Sequence, residues 1–265
     1  MNAHLIERHF AKIGARAKVR PETRRDRTGV TIDISHDGEG EFFDIALAQP
    51  RLADVRVVDT QPRIRHLLLM SEQEDEKHKF LCGHDERRWF VAAVPERAPI
   101  SNVKTAFEAL KPVAVRQRED RLKVKARKRN RRRNEAFIRQ GEWFFVPVPD
   151  WLRVDERLIF RNEPIARGGG KPHMCEELVR QGGELVYVSP QHPQGLTEMQ
   201  HRRLISRNPK LRNLQWVVQR RNPLVFVRGK VRHADHKTIV LDGWHQVLMN
   251  TETQSVAMRH VAFID

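Results

Sequence analysis

At 265 residues the chain has room for one large domain or two ordinary ones. Its 39% apolar and 31% charged residues exclude collagen-like and wholly disordered classes, and a net charge of +15 asks for an acidic partner. No apolar run reaches the ~18 residues of a membrane span and the first nine residues lack a secretory apolar stretch, so the expectation is a soluble, cytoplasmic protein with no membrane partner.

In chain order, Leu5 to Ile13 reads as a short helix, followed by a basic, polar stretch through Arg27. Strand patterns follow at Val30 to Ser35, Glu41 to Leu47 and Ile64 to Met70, set apart by Gly, Asp and Pro. His78 to Cys82 and Arg88 to Val94 read as the arms of a hairpin. Ser101 or Asn102 caps a helix from Val103 to Leu110 that ends near Pro112. Residues 1–115 are expected to form a small α+β unit.

Residues 116–136 form a basic connecting segment. Its first eighteen positions hold 11 cations against 2 anions, which is +9 of the +15, and residues 127–133 alone hold six cations. Like charges so crowded repel one another unless a polyanion neutralises them, and binding through released counterions then weakens steeply with salt. Nucleic acid, DNA or RNA, is the expected partner, with Arg127, Lys128, Arg129, Arg131, Arg132 and Arg133 on its phosphates. A solvated linker is the bland alternative. An anionic membrane would need an apolar anchor beside the cluster, and none is evident.

Residues 137–265 read as a β-rich domain, a barrel or a sandwich, so that the whole chain is α+β in class. Phe137 to Pro147 suggests a strand, a Gly kink and a second strand, and Leu158 to Phe160, Glu184 to Ser189, Leu224 to Arg228, Thr238 to Leu241 and His245 to Met249 continue the series. Thr197 caps a helix from Glu198 to Asn208, with Gln200 completing a capping box and Pro209 marking its end. Four of the five tryptophans, Trp143, Trp151, Trp216 and Trp244, fall in this region. Trp216 precedes Arg220 and Arg221, a second candidate nucleic-acid contact, although core packing is the commoner use of such rings.

His233, Asp235, His236 and His245 occur within thirteen residues, and a glycine-rich loop, 168–170, leads to His173. Imidazoles and carboxylates are ligands for zinc or another divalent metal ion. His173, His233 and His236 are the candidate ligands, with Glu142 or Asp235 activating water for metal-assisted phosphodiester hydrolysis. Against this, Lys230, Arg232 and Lys237 flank the histidines and oppose a bare dication, so histidines that touch phosphate without metal, or ordinary loop histidines, stay open. His78, Cys82, His84 and Asp85 form a second cluster, read mainly as core and turn residues because it offers one thiol. Residues 168–171 lack the spacing of a phosphate-binding loop, and no nucleophile elbow or dinucleotide fingerprint is present. Cys82 and Cys175 read as reduced thiols, and Glu176 and Glu177 disfavour a Cys175 thiolate.

At Arg139-Gln-Gly-Glu142, Gly170-Lys-Pro-His173 and His233-Ala-Asp-His236, the chain resembles a family of small bacterial and phage proteins of unassigned function. Those carry Arg-Gln-Gly-Asp before an apolar strand, then Gly-His-Ala-His, then His-x-x-His. The likeness spans roughly residues 139–250. Lys171 stands where that pattern has its first histidine and Glu142 where it has Asp, so a metal role carried over would be incomplete. The resemblance groups His173, His233 and His236 in one site and implies no activity. The region is also similar to cupin-like barrels, in which closely spaced histidines bind metal, without the full cupin spacing. Together these readings lead to a nucleic-acid-binding protein with a His-lined metal site, acting as a metal-assisted phosphodiesterase. The alternative is a non-enzymatic nucleic-acid-binding module of a mobile-element or defence-type nucleoprotein assembly.

Overall fold

A computed structural model of the chain describes residues 3–23, 29–48, 53–73, 76–96, 99–148, 153–167 and 170–255. Helix α1 (Ala3–Lys12) places Ile6 and Phe10, one turn apart, on a single buried face. That face meets a sheet of β1 (Ala17–Pro21), β2 (Val30–Asp37) and β3 (Gly40–Leu47), in the order β1-β3-β2. Strand β1 lies in the stretch expected to be merely basic and polar; it pairs parallel to β3, and its Arg20 is bidentate to Asp44. A four-stranded meander follows: β4 (Ala53–Gln61), β5 (His66–Gln73), β6 (Glu76–Asp85) and β7 (Arg88–Val94).

The run Leu67-Leu68-Leu69 explains how the meander is covered on both sides. Leu67 and Leu69 join Phe10, Ile32, Phe43 and Phe80 in one core, while Leu68 points to the other face with Leu81, Ala92 and Leu110. A strand buried on both faces loses the apolar-polar alternation, as this one does. The second face is closed by α2 (Val103–Leu110). Asn102 is its cap: the side-chain oxygen accepts from the Thr105 amide at 2.9 Å, and Thr105 Oγ1 accepts in return from the Asn102 amide at 3.1 Å.

The basic segment is built into the fold. It contains part of α3 (Val113–Arg121) and all of α4 (Ala126–Arg129). Glu119 is fully buried, and Lys111, 3% exposed, donates to it at 2.8 Å as well as to Glu108 at 2.9 Å and to the Arg129 carbonyl at 2.8 Å. Asn134 donates to the other Glu119 oxygen at 2.9 Å. A buried carboxylate satisfied on both oxygens holds α3, α4 and the following turn in one arrangement.

The second half contributes β8 (Ile138–Gln140), β9 (Trp143–Pro147), β10 (Phe160–Ile165) and β11 (His173–Gln181). Next come β12 (Glu184–Ser189), β13 (His192–Thr197), α5 (Glu198–Arg207) and β14 (Val217–Arg221). Strands β15 (Leu224–Arg232) and β16 (Ile239–Met249) complete it. The expected capping box on α5 is present, with Thr197 and Gln200 bonded reciprocally. Two segments expected as separate strands, Thr238 to Leu241 and His245 to Met249, are one strand, β16, which shifts register near Gly243 (φ 71°).

The expected barrel is not found. Six strands form an antiparallel sheet in the order β10-β11-β15-β16-β9-β8, whose ends do not pair. Strands β12, β13 and β14 form a sheet of their own, and β10 and β8 are left as the two edges of the six-stranded sheet. The architecture is α+β, β-rich and built of open sheets. Among the described residues no helix is long and apolar enough to cross a membrane.

Several bonds fasten the two halves around the site. Thr251 donates to the Leu110 carbonyl at 3.0 Å and Ser255 Oγ to the Val94 carbonyl at 3.2 Å. The β6–β7 turn meets the histidine loop, where Glu86 accepts from the Lys237 amide and Arg88 reaches Asp235 at 3.4 Å.

Candidate metal centre and adjoining cleft

The centre is assembled by three short pieces of chain. His173 opens β11, His233 and His236 lie just past the end of β15, and Gln140-Gly141-Glu142 makes the turn between β8 and β9. Pairing of Met174 with Arg232 carries His173 to the histidine loop. The candidate ligand nitrogens of the three imidazoles lie within 4.8 Å of one another. Their rings stack nearly parallel, with centroids 4.1 Å apart for His173 and His233 and 4.7 Å for His233 and His236.

Each residue of the turn has a separate task. Gln140, buried, donates its amide to the Lys237 carbonyl at 2.8 Å and to the Val231 carbonyl at 3.3 Å, which fixes its oxygen toward His173. His173 Nδ1 then donates to that oxygen at 2.9 Å, leaving Nε2 as the lone-pair nitrogen. This is how an outer partner sets the tautomer of a metal-ligating histidine. Gly141 sits at φ +57°, and a Cβ there would fall 2.8 Å from His236 Nε2 and 3.4 Å from His173 Cε1. Only glycine allows both the turn and the approach of two rings. Glu142 brings a carboxylate oxygen to 3.8 Å from His173 Nε2, too long for a hydrogen bond and short enough for one atom to bridge.

The electrostatics suit neutral imidazoles. Burial, and then the neighbouring His173 and His236, push His233 down to about 4. Burial likewise lowers His236. Burial would raise the Glu142 carboxyl, but the His173 imidazole and its own backbone amide outweigh it and hold it below the usual range. His236 is 6% exposed, and its Nδ1 has no hydrogen-bond partner and lies 3.9 Å from Glu86. A buried imidazole nitrogen without a partner among the described residues is free to take a ligand. His233 differs: Nδ1 accepts from the Asp235 amide at 3.1 Å and Nε2 donates to the Lys171 carbonyl at 3.2 Å. It must release the Lys171 carbonyl to ligate. The donor set of nitrogens with carboxylates nearby fits zinc or a similar divalent ion.

Asp235 is held by Lys171 at 2.6 Å and by Arg88 at 3.4 Å, which keep its carboxyl below the usual range against the opposing effect of burial. It anchors the histidine loop, while Glu142 is the carboxylate beside His173. Of the cations foreseen as opposing a dication, Arg232 is directed elsewhere, donating to Asn162 at 2.8 Å, while Lys230 and Lys237 are exposed. His245 stands apart on β16, with Nδ1 donating to the Gly243 carbonyl at 3.1 Å.

The basic cluster divides. Arg129 pairs with Asp120 at 2.7 Å and with the buried Glu119 at 3.4 Å, Lys128 pairs with Glu135, and Arg132 holds Asp85 and Glu86. Arg127, Arg131 and Arg133 are exposed and make no ion pair among the described residues. Arg220 is exposed and donates to the Gly182 carbonyl at 3.0 Å, whereas Arg221 is half-buried and pairs with Glu184. One cleft is lined both by Arg129, Asn130 and Arg131 of this cluster and by Gly141, Glu142 and His236 of the centre.

Other candidates take plain structural roles. Cys82 is buried in the first core, and burial pushes its thiol up. Cys175 is buried too, and desolvation raises it to about 12, so neither is a thiolate near neutral pH. His84 packs its ring against Trp89, and Asp85 is the partner of Arg132 and Arg139. Trp143 is half-buried against the six-stranded sheet core, and Trp244 carries the Arg228 guanidinium 4.7 Å from its ring centre. Trp151 and Gly168 lie outside the described residues.

No protein-family model, curated protein or solved structure matches this chain.

Proposed function

We propose that this chain is a nucleic-acid-binding protein in which His173, His233 and His236 hold a divalent metal ion and promote hydrolysis of a phosphodiester. The observation that carries this reading is the meeting of the three imidazoles beside Glu142, with Glu142 and His236 lining a cleft that Arg129 and Arg131 of the basic segment line as well. A divalent ion there would supply Lewis acidity and a water that ionises near neutral pH. Glu142, next to the ring of His173, would be the proton acceptor. Arg131 and the other exposed cations draw phosphate toward the centre.

The test uses purified full-length protein. Elemental analysis is expected to find about one equivalent of zinc or a similar metal, lost in His173→Ala and His236→Ala. Labelled single- and double-stranded DNA and RNA are then incubated with and without chelator. Chelator-sensitive cleavage that Glu142→Gln abolishes supports the reading. A folded protein that binds no metal overturns it. A second reading, the non-enzymatic binding module, is favoured by His233, whose two nitrogens are both occupied in this arrangement. Salt-dependent binding without cleavage, in protein carrying its metal, selects that reading.

A further inference from the structure

The cleft has walls that the metal chemistry does not use. Phe90 from β7, Phe107 from α2 and Phe144 from β9 line it, with Trp89 beside them. Six cations face it, Arg88, Lys111, Arg129, Arg131, Arg139 and Arg167, against three carboxylates, Asp85, Glu142 and Glu252. Most of these cations already have partners within the chain, but the exposed Arg131 has no ion pair among the described residues. Asn130 adds a buried side-chain oxygen that lacks a hydrogen-bond partner. His236 belongs to the same lining.

We infer that this cleft seats one unpaired nucleotide, its base among the phenylalanines and its phosphate between Arg131 and the histidine centre. Aromatic walls accept the face of any base by stacking, worth about 1–3 kcal/mol per base. The unmet Asn130 oxygen can accept a hydrogen bond from the amino group of a base edge. A net positive lining selects an anion over a neutral nucleoside. A base inside a duplex is stacked and paired and must leave the helix to reach such a cleft, so the fitting substrate is a single strand or an extruded nucleotide. The phosphate's destination rests on the function proposed above, whereas seating of the base does not.

The test titrates full-length protein with adenosine 5′-monophosphate and, separately, inorganic phosphate, following the heat of binding by isothermal titration calorimetry. The nucleotide is expected to bind saturably and at least tenfold more tightly than phosphate. Arg131→Ala should weaken it about tenfold, the value of one charge-assisted hydrogen bond. Asn130→Ala, at a half-buried position, should weaken it severalfold. His233→Ala should lose metal and weaken adenosine 5′-monophosphate and phosphate by the same factor, so that the preference for the nucleotide over phosphate stays within about twofold of the parent, which separates this inference from the metal reading. In cleavage assays a single strand should react at least tenfold faster than its duplex. Equal affinity for nucleotide and phosphate, or unchanged binding in folded Arg131→Ala, overturns the inference even if metal is bound. Nucleotide binding by protein that never takes up metal supports it while refuting the metal reading.

Discussion

Substituting Gly141 by alanine tests the geometry of the centre most directly. The new methyl group would sit 2.8 Å from His236 Nε2 and 3.4 Å from His173 Cε1, and the backbone is at φ +57°. Two costs follow. Left-handed backbone disfavours alanine by about 1–2 kcal/mol, which lowers stability whatever lies nearby. The contact with Nε2 is well inside van der Waals range, so His236 must retreat by several tenths of an ångström. Disturbing groups that orient a metal ligand typically lowers affinity on the order of 10–100-fold, or about 1.4–2.7 kcal/mol. Gly182 supplies the control, because it has φ +67° and nothing within 4 Å of an added Cβ. Gly182→Ala therefore bears the backbone cost alone. The assay is zinc titration against a competing chelator, with thermal unfolding of the metal-free proteins alongside. Both variants should unfold a few degrees earlier, and only Gly141→Ala should lose metal affinity. Parent-like metal binding by Gly141→Ala, or equal weakening in Gly182→Ala, refutes the geometry described for the turn.

Gln140→Ala removes the oxygen that sets the His173 tautomer, and metal affinity measured by the same titration should fall about 10–100-fold. Lys111→Met strips the buried Glu119 of its closest cation and should cost about 3 kcal/mol in a urea unfolding experiment, the lower end expected for a broken buried pair because Arg129 stays 3.4 Å away. Among the basic residues, Arg127→Ala and Arg133→Ala should each reduce the slope of log affinity for nucleic acid against log salt by about 1. Arg129→Ala and Arg132→Ala should instead show a lowered unfolding midpoint, since their guanidinium groups hold Glu119, Asp120, Asp85 and Glu86. Burial pushes His66 from 6.5 down to about 4, so the unfolded chain takes up its proton first as pH falls. Stability tied to this ring is intact above pH 6.5 and lost progressively from there to pH 4, by about 3 kcal/mol, and His66→Phe should flatten that acid limb in unfolding experiments across the range.

Where a structural feature is settled within a few residues, the amino-acid order was sufficient. The α5 cap needs only Thr197 and Gln200, three positions apart, and the α2 helix only Asn102, Thr105 and an apolar face. Strands β7 and β12 follow local alternation and β-branched content closely. The three clustered histidines were recognisable as a set because imidazole is an uncommon side chain placed here at the ends of glycine-rich or polar turns. Strand β11 was missed for the opposite reason: His173-Met-Cys-Glu-Glu reads as loop until Glu177 finds Arg228 and Arg161 on the neighbouring strands and Glu176 accepts from the Lys230 amide. The basic segment misled in part, because a run of arginines looks the same whether its partner is a phosphate or the buried Glu119.

Composition, charge distribution and short-range spacing thus determined the class of fold, the helix ends and the residue types offered to a metal. Tertiary structure alone decided that the sheets stay open and that half of the six clustered cations are used inside the molecule. It also gave Gln140 its task, through bonds to His173 and Lys237, which lie 33 and 97 positions away. The physical reason is range. Helix caps and strand alternation are set by bonds between near neighbours, whereas the centre depends on the register of β11 on β15 and on the β8–β9 turn reaching across the sheet, which burial of the whole core selects.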